Sequence, residues 1–112
     1  MTDRAFLGEF EQMVLAAVLR LGERAYGAAI LTEIEAQTGR SVSSGSLYVT
    51  LDRLEQKKLI RTWVGDPAPE RGGRPRRYVR VTRSGLAAVR DVREALLNLW
   101  RGLEDQLEIQ KP

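Results

Sequence analysis

The chain contains no cysteine and no histidine. Without cysteine there is no disulfide, no thiol nucleophile and no thiolate metal site. Without histidine the commonest general base, the commonest transition-metal ligand and the usual switch near neutral pH are all missing. Metalloenzymes and triad hydrolases are disfavoured before any motif is read. Long apolar runs are lacking too. None approaches the roughly 18 residues that span a bilayer, and Met1-Thr2-Asp3-Arg4 does not open a secretory signal. The expectation is a cytoplasmic chain with no membrane partner and no cofactor. What is present suits a folded domain: 112 residues, 43% hydrophobic and 29% charged, enough for one core and an appended element.

The formal charge of +3 is unevenly placed. Residues 1–39 carry three basic and six acidic side chains, residues 40–83 eleven and four, and residues 84–112 four and five. The middle third is therefore a concentrated cationic region. Clustered Lys and Arg release counterions from a phosphate backbone, so a polyanion is the natural partner; an incidentally basic, solvated surface is the competing reading.

Apolar residues at spacings of three and four predict a helix over 6–21, carried by Leu7, Phe10, Val14, Val18 and Leu21 and ended by Gly22. A second helix is predicted over 27–38, with Ile30, Leu31 and Ile34 inward and Thr38-Gly39 at its end. A third begins within Ser43-Ser44-Gly45-Ser46, where serine can cap free N–H groups. Leu47, Leu51 and Leu54 form its inward stripe, and Ser46, Val49, Thr50, Arg53 and Lys57 are expected on a small, polar and cationic outer face. The period then changes. Residues 59–64 and 77–82 are rich in β-formers, and between them lie three prolines and three glycines in the eleven residues 65–75, a long hairpin loop. Trp63 is expected to pack at the root of that hairpin.

The last segment, 83–108, is predicted as one helix capped by Thr82 or Ser84 and about 40 Å long. Leu86, Val89, Val92, Leu96, Leu99, Trp100, Leu103 and Leu107 give it an apolar face longer than a small core can cover. The simplest cover is the same helix from a second chain. The whole is mainly α with a small β-hairpin. It has the layout of a winged helix-turn-helix over 1–82, followed by a long C-terminal dimerisation helix and short tail over 83–112. In that layout the third helix enters the major groove of double-stranded DNA, and the hairpin, or wing, lies on the backbone or in the minor groove, where arginine is favoured. Arg71, Arg74, Arg76 and Arg77 supply the wing's charge. Arg53 and Lys57 are better placed for phosphates than for bases.

Several blocks, in this order, carry a family resemblance: Tyr26-Gly27, the run Val42-Ser43-Ser44-Gly45-Ser46-Leu47-Tyr48, then Leu51-Asp52-Arg53-Leu54-Glu55, Leu59-Ile60, Arg76-Arg77-Tyr78, and Thr82 with Gly85. Together they resemble the PadR family of bacterial transcriptional regulators, in its short form with a single C-terminal helix. The resemblance covers about residues 8–105. Two positions depart from it. Lys58 stands where the family usually has Gly before the Leu-Ile pair, and Val49 where it often has Pro. The resemblance implies a homodimer that binds an inverted-repeat operator, usually as a repressor, and exchanges its C-terminal helix with its partner. By position, Tyr26, Ser43, Ser44, Ser46, Tyr48 and Thr50 would face DNA. Some members bind a small aromatic or drug-like effector at the dimer interface, where Trp100 would be the stacking surface. Two other readings compete: a winged-helix module that docks an acidic protein, and an enzyme, for which no carboxylate pair stands out from helix-surface patterning.

Overall fold

A computed structural model describes residues 7–65 and 75–108. The elements are α1 (Glu9–Leu21), a 3-10 turn (Gly22–Arg24), α2 (Gly27–Thr38), α3 (Ser44–Gln56), β1 (Ile60–Val64), β2 (Arg77–Val81), α4 (Arg83–Trp100) and α5 (Glu104–Leu107). The expected fold class is found: a mainly helical chain with one antiparallel hairpin, in winged-helix order.

Local chemistry sets most of the boundaries. The N–H of Gly8 donates to the Glu11 carboxylate at 3.0 Å, which closes the start of α1. The helix therefore begins at Glu9, later than predicted. Leu7 lies before it yet is buried, and Phe6 lies outside the described residues. The left-handed Gly39 ends α2, and the Ser43 hydroxyl caps α3 by accepting the Ser46 N–H at 3.1 Å. At the next junction the Thr82 hydroxyl accepts the Gly85 N–H at 3.0 Å and donates to the Lys58 carbonyl at 2.8 Å. That single side chain starts α4 and ties it to the exit of α3. A Cβ on Gly85 would sit 2.1 Å from the Leu59 carbonyl oxygen, so only glycine allows α4 to approach so closely.

The hairpin runs in register from Ile60 opposite Val81 to Val64 opposite Arg77. Tyr26 adds one bridge to Tyr78, and the Val79 N–H donates to the Ala25 carbonyl, so the segment before α2 acts as a third rung. The core is built from Val14, Leu15 and Val18 of α1, Ile30 and Ile34 of α2, Leu47, Leu51 and Leu54 of α3, and Ile60 and Val79 of the sheet. Of α4, Val89 and Val92 pack against it.

The structure corrects the sequence reading in three places here. The C-terminal segment is not one helix: α4 ends at Trp100, and Gly102 adopts a left-handed φ of 88° before the single turn of α5. Glycine takes that conformation without a Cβ clash, so the chain turns there. Trp63 is not a core residue. It alternates with the inward Ile60 and Thr62, stacks on Tyr78 at 5.9 Å, and stays 44% exposed. Thr50 is only 5% exposed, because it lies three residues from Leu47 and four from Leu54, on the inward side of α3.

Candidate nucleic-acid interface

Elements α2, α3 and the hairpin meet at one surface. The chain enters α2 extended at Tyr26; among the described residues no side chain caps that helix, and its first turn holds no acid. Its first-turn N–H groups and the positive end of its dipole are therefore unspent. A Cβ on Gly27 would lie 2.6 Å from the Tyr48 hydroxyl oxygen, so Gly27 lets α3 bring that hydroxyl against the start of α2. From the other side comes Arg76. Its guanidinium lies 4.1 Å over the Tyr26 ring, and its Nε is buried with no hydrogen-bond partner among the described residues. Tyr26, Gly27, Ala28, Tyr48, Pro75, Arg76 and Arg77 line a cavity of about 490 Å³ at this junction. Uncommitted N–H groups, a phenol and a guanidinium face the same space. That donor set suits an oxyanion.

Tyr78 holds the arrangement from behind. Its ring meets Tyr26 edge-on at 5.8 Å and stacks on Trp63 at 5.9 Å with planes 17° apart. Tyr78 is thus more than a strand former. Its role was accessible from strand alternation, which puts it on one face with Trp63 through their pairing.

The remaining candidates divide into three groups. Ser44, Ser46, Tyr48, Val49 and Arg53 are exposed on or beside α3, and Arg53 has no ion-pair partner among the described residues. Ser43 is exposed but its hydroxyl is engaged as the cap of α3. Thr50 leaves the site, being buried.

Two cations expected to face phosphate are engaged in ion pairs within the chain. Lys57 reaches back to the buried Glu11 carboxylate of α1, at 2.9 Å. A carboxylate removed from water needs a counter-charge, and Lys57 supplies it. Arg77 bonds Asp52 at 3.1 Å and Glu55 at 3.3 Å, tying β2 to α3. Arg71 and Arg74 lie outside the described residues.

Away from this surface, α4 presents Leu86, Leu96, Leu97, Leu99 and Trp100 to solvent, and α5 presents Leu107; Leu103 is half-buried. Gln12, Met13 and Ala16 of α1 join Val89, Arg93, Leu96 and Leu97 around an open, largely apolar groove of about 370 Å³. No described helix is long and apolar enough to cross a membrane. Among the described residues no group of acidic side chains is placed to hold a metal ion.

Comparison with known proteins agrees with this architecture. A PadR family transcriptional regulator from Eggerthella lenta is 27% identical and superposes with a TM-score of 0.68, over 90% of this chain and 83% of that one. A PadR-like transcriptional regulator from Bacillus cereus shares the fold with a TM-score of 0.71 at 23% identity, over 90% of this chain and 93% of its own. An uncharacterised protein from Lysinibacillus sphaericus is 28% identical over 104 residues, 91% of this chain and 87% of that protein. The model of the PadR-like transcriptional regulator family matches residues 14–91, and the chain belongs to that family.

Proposed function

We propose that this chain is a homodimeric transcriptional regulator that binds an inverted-repeat operator through α3 and the wing, and represses the genes beside it. Residues 1–82 carry the DNA-binding unit and residues 83–112 the dimerising one. The observation that carries the reading is the oxyanion-suited cavity at the start of α2, directly beside the exposed face of α3. A phosphate seated against Arg76, the Tyr48 hydroxyl and the α2 N–H groups would hold α3 in register with the groove. Ser44, Ser46, Val49 and Arg53 then meet base edges and flanking phosphates.

The dimer reading is supported by α4. Gly85 is the only buried residue of its eighteen, and Leu99 is 73% exposed at a position of the repeating apolar stripe. Surplus apolar length of this kind calls for a second surface. Trp100 lies half exposed at the end of the same helix and offers a plane for a small aromatic effector. Binding there would disturb the pairing of the two chains and so the spacing of their α3 helices. An effector that leaves Trp100 emission unchanged in a Trp63→Phe background, while still releasing DNA, would remove Trp100 from this role.

The deciding experiment is fluorescence anisotropy with duplex DNA from upstream of the chain's own gene, against a scrambled duplex, over a range of salt. Specific binding at least about 10³-fold tighter than to the scrambled duplex, falling steeply with salt, is the expected result. Equal, weak binding to both duplexes, with capture of an acidic protein partner instead, would replace this reading with that of a protein-docking module.

A further inference from the structure

The inward line of α3 runs through Leu47, Leu51 and Leu54, all fully buried. At 3.6 residues per turn, the line on the opposite side of the helix passes through Gly45, Val49, Asp52 and Gln56. All four are exposed, Val49 to 58% and the Asp52 side chain to 65%. The outermost stripe of the helix thus has a carboxylate at its centre, within the most cationic stretch of the chain. Facing phosphates alone, that carboxylate would weaken binding.

Its local chemistry provides an offset. Asp52 Oδ1 accepts from Arg77 Nη2 at 3.1 Å, which fixes the side chain and reduces its repulsion of DNA. Asp52 Oδ2 takes no hydrogen bond from the described residues. The second acid on Arg77, Glu55, stands toward the sheet, where it also accepts from the Thr62 hydroxyl at 2.9 Å. One carboxylate of the pair is committed to the hairpin, and the other retains an acceptor on the outward stripe.

We infer that Asp52 is a specificity-determining residue that accepts a hydrogen bond from the exocyclic amine of cytosine in the major groove. This rests on the DNA-binding reading of α3 given above. A carboxylate only accepts. Guanine shows two acceptors on its major-groove edge and thymine one, so both are repelled, whereas cytosine shows the N4 amine as a donor. Adenine presents a donor beside an acceptor, which suits a carboxamide better. Val49, Asp52 and Gln56 span roughly 10 Å of helix, about three base-pair steps, so Asp52 reads a central position of each half-site.

The test is selection of binding sites from a randomised duplex library with the full chain, wild type and three variants, with urea unfolding midpoints measured alongside. The wild type selects C at one position by about tenfold. Asp52→Ala keeps the rest of the motif, flattens that position and binds random duplex more tightly, because a negative charge has gone. Asp52→Asn moves the preference to A. Glu55→Ala leaves the motif unchanged, since it perturbs the Arg77 brace without touching the outward stripe. An Asp52→Ala motif identical to wild type would reduce Asp52 to an anchor for Arg77. Flattening by Glu55→Ala of the same position would assign the effect to the brace. If Asp52→Ala does not fold, Asp52→Asn decides, an unchanged motif overturning the assignment. A wild-type chain that selects no motif would overturn the DNA-binding reading itself, a failure distinct from the others.

Discussion

Lys58 shows how one residue can carry a backbone cost for its neighbours. Its φ is 63°, the left-handed region, where a Cβ is unfavourable. The conformation is imposed from both sides. Its N–H donates to the Glu55 carbonyl at 2.9 Å, and its carbonyl accepts the Thr82 hydroxyl at 2.8 Å. A glycine here would meet this demand without strain. Lys58→Gly is therefore expected to raise stability by about 1 kcal/mol, read as a higher urea midpoint with unchanged slope. A lower midpoint would mean that the added freedom of the unfolded chain outweighs the relieved strain. Arg76 makes the opposite case, a residue whose value lies in what it leaves unpaired. Arg76→Ala should weaken binding to all duplexes alike and lower the salt slope by about 1, as for one lost phosphate contact. An unchanged slope would take Arg76 out of contact with the backbone.

Between elements, the α2–α3 junction is a close contact beside the site. Gly27→Ala places a methyl 2.6 Å from the Tyr48 hydroxyl oxygen, so the ring must shift away from the start of α2. Tyr48 is 41% exposed and can yield toward solvent, so the cost is at most about 1 kcal/mol. In a Tyr48→Phe background that oxygen is gone, and Gly27→Ala should become neutral or stabilising, because alanine favours the helix. A double-mutant cycle in urea measures the difference. Purely additive effects would show that Tyr48 does not press on Gly27. At this scale the sequence was informative where signals are local. The spacing of Val14 and Val18, the serine cap of α3 and the glycine after α2 all act within one turn of helix, and the elements they delimit are found within a few residues of the expected ends. It misled where one side chain had two local readings. Thr50 is polar in composition but inward in geometry, and Trp63 is apolar but on the outward face of its strand. Gly102 lies inside an otherwise continuous apolar period, yet its left-handed turn ends α4.

For the whole molecule, the exposed apolar face of α4 is the feature that a single chain does not use. Leu99→Glu should leave the monomer's fold intact, since Leu99 is mostly solvated within the chain, and should abolish the dimer and with it tight operator binding. Light scattering and circular dichroism separate the two effects. A dimer that survives Leu99→Glu and Leu96→Glu together would locate the seam elsewhere.

What the sequence determined by itself is the order and type of the elements as far as α4, the cationic middle third, and the family. Each rests on patterns repeated along the chain, which neighbouring residues are enough to express. Which charges remain available for a partner was decided only by the tertiary structure. Lys57 is drawn to Glu11, forty-six positions away, and Arg77 to Asp52 and Glu55, more than twenty positions away, while Arg76 is left over the ring of Tyr26. An ion pair is set by distance in space and by the cost of burying a charge alone. Neither quantity exists until the chain has folded.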